Sequence, residues 1–193
     1  MPHLPAEWAP QAALWTAFPS DPGLWEADLE PARAEVAALV RALSATVRVR
    51  LLASGGEAAR AARSAVGEAA DVLDMAFGDI WLRDTGPIFL GRQRGVGFRF
   101  NGWGGKYELP GDADLADRVA AAAGASFARV DLVCEGGALD HDGKGLALTT
   151  RQCLLNPNRN PGLDEARVSR LLREGLGIRR LVWLGDGLLN DHT

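Results

Sequence analysis

The fold of this chain can be worked out from the stretch Trp81-Leu82-Arg83-Asp84-Thr85-Gly86-Pro87. The apolar run Ile88-Phe89-Leu90 follows it and predicts a β-strand. Gly86 and Pro87 give Asp84 a rigid support at the strand entrance, because proline fixes φ and glycine permits close approach or a positive φ. The stretch therefore suits recognition of a cation by Asp84. The alternative is a turn in which Asp84 caps backbone N–H groups.

Composition limits the class of protein. The chain has 193 residues, of which 47% are hydrophobic, enough for one domain with a buried core. Its net charge is −4 and its 21 basic residues are dispersed, so we predict no nucleic-acid partner. No apolar segment has bilayer length and the N-terminal residues lack a signal-peptide pattern, so we expect no membrane partner. Two cysteines without metal-ligand spacing predict no disulfide framework, no metal site and a cytoplasmic location.

Strands alternate with helices along the chain. Apolar residues at helical spacing, such as Val36, Val40 and Leu43, predict amphipathic helices, and short apolar runs predict strands. Asp164 is the expected N-cap of the last helix. The predicted strands are 12–18, 46–52, 71–75, 88–90, 96–100, one near Phe127, 145–149 and 180–184, and the predicted helices are 24–43, 57–66, 112–123 and 164–174. This order predicts an α/β architecture.

Two polar segments interrupt this order. Glycines surround Trp103 in residues 101–107, which suits neither a core strand nor a regular helix. We predict a flexible loop that carries Trp103 as an aromatic lid, and the alternative is a surface turn with Trp103 folded back on the core. Residues 154–162, Leu-Leu-Asn-Pro-Asn-Arg-Asn-Pro-Gly, predict a second loop. Asp142-Gly143 predicts a hairpin turn, and His141 before it is expected to be exposed.

The second half of the chain repeats the first. Asp84-Thr85-Gly86 and Glu135-Gly136-Gly137 lie 51 residues apart, and each enters an apolar strand. The helices that start at Asp112 and Asp164 lie 52 residues apart. A repeat of this length, built from strands and one helix, predicts a ring of supersecondary units and not a doubly wound sheet. Residues 190–193 fall where a third copy of the carboxylate position should begin, so we expect the chain to be a fragment.

Four motifs carry a resemblance to a known family. They are residues 81–87, Asn101-Gly102-Trp103-Gly104-Gly105, Glu135-Gly136-Gly137 and residues 149–161, Thr-Thr-Arg-Gln-Cys-Leu-Leu-Asn-Pro-Asn-Arg-Asn-Pro. In this order they resemble the agmatine deiminase family, the bacterial branch that also holds the Porphyromonas-type peptidylarginine deiminases. Residues 5–8 and 15–19 resemble the opening of that family. The match therefore covers essentially the whole chain.

The resemblance implies the pentein fold, a five-fold pseudo-symmetric α/β propeller. Residues 1–193 would be the N-terminal portion of one such domain, with roughly three blades present and the C-terminal blades absent. It also implies hydrolysis of a guanidine, with agmatine converted to N-carbamoylputrescine and ammonia through a thiouronium intermediate on a Cys thiolate. The implied partner is a small-molecule guanidine, without cofactor or metal. The intact family member is expected to be a homo-oligomer.

Individual positions match the motifs of the family. Asp84 matches the carboxylate that grips the guanidinium, and Glu135 matches the carboxylate that orients the catalytic His. These two are the catalytic candidates, and Asp84, Trp81 and Trp103 are the substrate-binding candidates. Because Asp84 and Glu135 occupy equivalent positions in neighbouring repeats, both are expected to face one axis. The alternative for Glu135 is a residue that satisfies N–H groups at a glycine turn.

The chain also departs from the family. The catalytic His, a second guanidinium-binding Asp and the nucleophilic Cys would follow Thr193, so the chain alone is expected to be inactive. Cys134 and Cys153 do not occupy the nucleophile position and are expected to be small buried strand residues. His192 stands where many agmatine deiminases have an acid, and Gln11 where a His often sits, which puts agmatine in doubt. The alternatives are a peptidylarginine deiminase, a catalytically dead guanidinium-binding module and a structural repeat domain without ligand.

Overall fold

The computed structural model describes residues 3–188, which divide into two compact units. The first unit consists of residues 10–82 and 109–111. The described residues of the second unit are 3–9, 83–108 and 112–188. Each unit contains a hydrophobic cluster of its own.

The first unit is built on a parallel sheet. Its strands, in spatial order, are β1 (Leu14–Ala17), β2 (Val49–Ala53) and β3 (Asp71–Asp74). Its helices are α1 (Pro22–Trp25), α2 (Leu29–Leu43) and α3 (Gly56–Val66), with short 3-10 turns at Glu26–Asp28 and Gly67–Ala69. Helices α2 and α3 supply the crossovers that parallel neighbours need. The core includes Phe18, Val40, Leu51 and Ala62.

Helix α2 begins later than the sequence predicts. Its first residue is Leu29 and not Leu24. Pro31 lies in the first turn of α2, where its missing N–H costs nothing, whereas farther inside a helix it would clash with the preceding turn. The residues before α2 form the separate helix α1 and a 3-10 turn, and Glu26 between them has φ of 46°. The apolar periodicity thus predicts the helix, and the proline sets its start.

The second unit contains two sheets of three strands. The first sheet has the order β4 (Ile88–Phe89), β5 (Arg94–Arg99) and β6 (Ser126–Val133), and the second has the order β7 (Asp140–His141), β8 (Leu146–Thr150) and β9 (Arg180–Leu184). The helices are α4 (Leu82–Thr85) at the boundary of the unit, α5 (Gly102–Gly105), α6 (Leu115–Ala122), α7 (Arg151–Leu154) and α8 (Glu165–Leu176). A 3-10 turn covers Gly136–Ala138.

The two sheets have the same topology. In each, an antiparallel hairpin is followed by a helix, α6 or α8, and by a third strand parallel to the second. Ile88 pairs with Val96 in the first hairpin, and Asp140 pairs with Leu148 in the second, so both strands recur after 52 residues in the same register. The internal repeat predicted from the sequence is therefore present in these two sheets.

Helix α8 covers the core of the second unit. Asp164 caps it by accepting a hydrogen bond from the N–H of Arg167 at 2.8 Å, which confirms the predicted N-cap. Gly177, with a φ of 78°, ends it. Its buried residues Val168, Leu171, Leu172 and Leu176 belong to a cluster that also contains Leu132, Cys134, Ala147 and Cys153. Both cysteines are buried as predicted, but neither lies in a strand: Cys153 lies in α7, and Cys134 follows the last residue of β6.

The hairpin turn at Asp142-Gly143 is confirmed, but the prediction that His141 is exposed is wrong. His141 is partly buried, and its Nδ1 is shielded from solvent without a hydrogen-bond partner in residues 3–188. The N-terminal segment explains the burial. A Cβ at Gly143 would meet the backbone of Ala6, and Leu4 lines the same cavity of about 770 Å³ as His141. The chain start therefore covers the hairpin, which no local pattern at residue 141 reveals.

Some expectations lie outside the described residues. His192 and the third carboxylate motif expected at residues 190–193 belong to these, and so do residues 1 and 2. Gln11 is described and is exposed. None of the helices within residues 3–188 is both long enough and apolar enough to cross a membrane.

Candidate active site

Asp84 is held by two donors from different parts of the second unit. The backbone N–H of Gly137 donates to its Oδ1 at 3.0 Å, and the indole Nε1–H of Trp103 donates to its Oδ2 at 3.0 Å. The side chain remains partly exposed. Each carboxylate oxygen has more than one acceptor position, so both oxygens can accept a further donor. Asp84 is therefore an oriented, accessible pair of acceptors.

Two glycines let the carboxylate motifs approach each other. A Cβ at Gly137 would meet Oδ1 of Asp84, and a Cβ at Gly136 would meet the backbone oxygen of Arg83. A side chain at either position would push the two backbones apart. The glycines after Glu135 are therefore required for close approach as well as for the turn. The structure places residues 83–84 directly against residues 136–137.

Trp103 is buried in a turn, so the prediction that it forms an aromatic lid is wrong. Its side chain is 8% exposed, and its ring meets those of Phe100 and Tyr107 edge-on. Its φ of 55° and ψ of 47° are left-handed, a costly conformation for a residue with a side chain. Asn101 supports the turn by accepting from the N–H of Gly104 at 2.9 Å. The alternative prediction, Trp103 folded back on the core, matches the structure.

Glu135 is a buried carboxylate with a buried cation beside it. It lies two residues after the end of β6, and the residue is 1% exposed. The Nε–H of Arg159 faces both carboxylate oxygens, at 3.0 Å from Oε1 and 3.1 Å from Oε2. A carboxylate without a counter-ion would be costly at this depth, and the guanidinium supplies one. The alternative of Glu135 as a mere turn residue does not account for this ion pair.

Arg159 is the residue that the sequence analysis did not single out. It belongs to the loop of residues 156–161, Asn-Pro-Asn-Arg-Asn-Pro, and is 4% exposed. An Arg between asparagines and prolines reads as a surface loop residue. The sequence offers only a general indication: a carboxylate that becomes buried needs a cation to pair with, and this could be any basic residue of the chain. Which of the basic residues provides it depends on the tertiary fold.

Both cysteines lie next to Glu135. The Sγ of Cys134 lies 3.2 Å from the backbone oxygen of Glu135, and the Sγ of Cys153 lies 3.9 Å from its Oε2. Burial raises the pKa of the Cys134 thiol well above its ordinary value, and the neighbouring Glu135 charge raises it further. Cys134 therefore keeps its proton at neutral pH, which does not suit a nucleophile.

Trp81 lies in the first unit. Its side chain is 54% exposed, and its Nε1–H donates to the carboxylate of Asp79 at 2.8 Å. Its substrate-binding role stays a prediction. The second unit contains a cavity of about 300 Å³ beside Gly137, the residue whose N–H binds Asp84. Its lining residues include Gly137, Thr149, Cys153 and Leu188. Among residues 3–188, no group of His, Cys, Asp and Glu side chains could hold a metal ion.

Known proteins resemble this chain in sequence and in structure. The sequence model of the Porphyromonas-type peptidyl-arginine deiminase family matches residues 3–193. Agmatine deiminases from Pseudomonas putida and Stutzerimonas stutzeri are 37% and 38% identical to it, over 99% of this chain and 55% of each relative. The structure of the agmatine deiminase of Enterococcus faecalis superposes with a TM-score of 0.88 at 29% identity, over 96% of this chain and 53% of that one.

A further solved relative is a substrate-bound agmatine deiminase of C. jejuni. It superposes with a TM-score of 0.84 at 27% identity, over 96% of this chain and 56% of the other. The chain thus spans little more than half the length of these relatives.

Proposed function

Because the chain belongs to the Porphyromonas-type peptidyl-arginine deiminase family, we propose that it forms the guanidinium-gripping part of a hydrolytic deiminase. Its proposed substrate is agmatine, converted to N-carbamoylputrescine and ammonia. The observation that carries the proposal is the carboxylate of Asp84, which Trp103 and Gly137 orient while both of its oxygens keep acceptor capacity. The agmatine deiminases among the relatives favour agmatine over other guanidines.

The shape of a guanidinium explains why an oriented carboxylate is needed. A guanidinium ion is planar and presents pairs of parallel N–H groups, so a carboxylate in its plane accepts two charge-assisted hydrogen bonds. Because Trp103 and Gly137 already fix Asp84, little side-chain entropy is lost when the ligand binds. In this proposal Asp84 contacts the substrate, and Trp103 acts through Asp84.

Glu135 is proposed as the carboxylate that orients the catalytic His. A carboxylate that accepts the N–H of an imidazole fixes its tautomer and stabilises its protonated form. The pairing of Glu135 with Arg159 supports this role, because it supplies the charge balance that an ionised carboxylate needs at that depth. The His itself is expected beyond Thr193.

The chemistry follows the scheme that the family resemblance implies. A Cys thiolate attacks the guanidinium carbon, and the His gives a proton to the departing ammonia. Water then gives a proton to the His and attacks the thiouronium carbon, which releases the urea product and restores the thiolate. The Cys, the His and a second Asp would come from beyond Thr193. We propose that residues 1–193 are the N-terminal portion of a five-bladed pentein propeller, with the three sheets as its first blades.

The test combines intact mass with ammonia release. The protein is purified from its native source, weighed, and assayed on agmatine and on a peptidylarginine substrate. We expect a species well above 20.5 kDa that releases ammonia from agmatine. Ammonia release from peptidylarginine alone would mean that the substrate is a peptidylarginine and that the protein is still a deiminase. A 20.5 kDa species that releases ammonia from neither would contradict the enzyme and leave a guanidinium-binding module.

Asp84→Asn tests the residue assignment in the active protein. The substitution keeps the shape but removes the charge, so we expect kcat/KM to fall by at least about 100-fold. The matched control is Asp131→Asn, because Asp131 is an exposed carboxylate that pairs with Arg99 on the surface of the same unit. An unchanged kcat/KM for Asp84→Asn would remove Asp84 from the substrate site.

A further inference from the structure

The loop of residues 156–161, here named the support loop, touches the surroundings of both carboxylates. Arg159 in this loop pairs with Glu135 through its Nε, and the ion pair is almost completely buried, with side-chain exposures of 2% and 1%. The Nη2 of Arg159 is also buried, and it has no hydrogen-bond partner among the described residues. The structure therefore keeps a guanidinium in its interior, paired with Glu135 through Nε.

Asn160 fastens the support loop to the strand that leads to Glu135. Its Oδ1 accepts from the N–H of Val133 at 3.0 Å, and its Nδ2 donates to the carbonyls of Val133 at 2.8 Å and of Leu154 at 2.9 Å. Val133 ends β6, two residues before Glu135. The side-chain amide of Asn160 thus binds both the N–H and the C=O of Val133. The loop and the end of β6 form one rigid piece.

Asn158 connects the same loop to the turn that holds Asp84. Its backbone oxygen accepts from Nδ2 of Asn101 at 2.9 Å, and its side chain fills the space where a Cβ at Gly104 would stand. Trp103, whose indole donates a hydrogen bond to Asp84, lies between Asn101 and Gly104 in the chain. The support loop therefore reaches Glu135 through Arg159 and Asp84 through the turn around Trp103.

We propose that the support loop is a shared positioning element for the two carboxylates, with Arg159 as the buried counter-ion that holds Glu135. This inference rests on the proposed function. Arg159 contacts no reacting atom and acts only through Glu135. Asn158 and Asn160 hold the loop so that both carboxylates keep one relative geometry.

Energetics favour a functional reason for Arg159. A buried ion pair is on average no more stabilising than well-packed apolar residues of the same volume. Stability alone therefore does not account for Arg159. A positioning role does, because a buried carboxylate without a cation takes up a proton and then offers an imidazolium only a neutral acceptor instead of a charge-assisted hydrogen bond.

Other titratable groups near Glu135 cannot replace Arg159. Cys153 from α7 and Cys134 beside Glu135 are thiols, and a thiolate would add negative charge. Asp84 adds negative charge as well, and its field reaches Cys134. In the ion pair that the structure shows for Glu135, the positive charge comes from Arg159.

The experiment measures both activity and the protonation of Glu135. In the active deiminase we expect Arg159→Gln to lower kcat by about 10–100-fold with KM within about twofold, and to move the acid limb of the kcat–pH profile upward. Arg159→Lys should restore the acid limb. In infrared spectra at neutral pH, Arg159→Gln should show a protonated buried carboxyl band that is absent from the wild type and lost in Glu135→Gln/Arg159→Gln.

Each other outcome is decisive as well. An unmoved acid limb and no carboxyl band in Arg159→Gln would overturn the inference and leave a structural clamp. If Arg159→Gln does not fold, Glu135→Gln/Arg159→Gln decides: folding of this neutral pair supports the inference, and failure of both overturns it. A wild type inactive on every guanidine would refute the proposed function, while the infrared result still tests Arg159 independently. Arg48→Gln, which breaks an exposed ion pair with Asp71, is the control and should change neither readout.

Discussion

The backbone N–H of Gly137 donates to Oδ1 of Asp84 at 3.0 Å across 53 residues of sequence. This bond joins the two carboxylate motifs, because Gly137 is only two residues after Glu135. Asp84 stays partly exposed, whereas Glu135 is buried against Arg159. Equivalent positions of the repeat therefore have different environments: the carboxylate of Asp84 is accessible to solvent, and that of Glu135 is buried in an ion pair.

Gly137→Ala should disturb Asp84 directly. The added methyl group would stand where Oδ1 now lies, so the carboxylate must move and lose its backbone anchor. We expect kcat/KM of the active deiminase to fall by about 100-fold, since a displacement of about 1 Å costs that much. Gly185→Ala is the control, because within residues 3–188 no atom beyond its two chain neighbours lies within 4 Å of the added methyl group. Equal kcat/KM in the two variants would show that the anchor has no role.

Trp103→Phe should weaken substrate binding while it keeps the fold. The ring still packs on Phe100, but the donor to Oδ2 of Asp84 is lost. We expect Kd for the guanidine, measured by calorimetry, to rise by about 3–10-fold, which corresponds to one lost hydrogen bond. Trp8→Phe, at a side chain that is 77% exposed, should leave Kd unchanged. A Kd equal to that of the wild type would mean that Gly137 alone orients Asp84.

Asn160→Ala should destabilise the protein strongly. Three backbone groups, the N–H and C=O of Val133 and the C=O of Leu154, lose their partner in a buried position. We expect the free energy of unfolding in urea to fall by about 2–4 kcal/mol. Arg151→Gln breaks an exposed ion pair with Glu165 and should cost less than about 1 kcal/mol. A loss of stability for Asn160→Ala as small as that for Arg151→Gln would contradict the role of Asn160 in fastening the support loop to β6.

Cys134 should resist alkylation in the folded chain. Burial and the Glu135 charge raise the pKa of its thiol, so the reactive thiolate forms only at a higher pH than in an unfolded peptide. We expect iodoacetamide to label Cys134 slowly at mildly alkaline pH and rapidly after denaturation in urea, as followed by peptide mass spectrometry. Glutathione in the same sample reports the reactivity of an ordinary thiol. Labelling of the folded chain at the unfolded rate would show that Cys134 is accessible as a thiolate.

Local chemistry in the sequence predicted much of the fold. The apolar spacing of α8, its cap at Asp164 and the hairpin at Asp142-Gly143 depend on interactions within a few residues, and all three are confirmed. The repeat of about 50 residues was also readable, because each copy carries its own strands, helix and glycine turn. The limits of helices were less accurate where one residue such as Pro31 outweighs the periodicity.

The sequence by itself determined the class of secondary structure, the repeat and the family, because these depend on local patterns and on motifs in a fixed order. Only the tertiary structure decided that Trp103 turns inward onto Asp84, that His141 is covered by the chain start, and that Arg159 neutralises Glu135. The physical reason is distance along the chain. Arg159 lies 24 residues from Glu135, and nothing local to either residue selects this pair among the 21 basic and 25 acidic residues. The tertiary fold selects the pair, because a buried carboxylate has no access to water or to surface cations and can pair only with the cation that packs next to it.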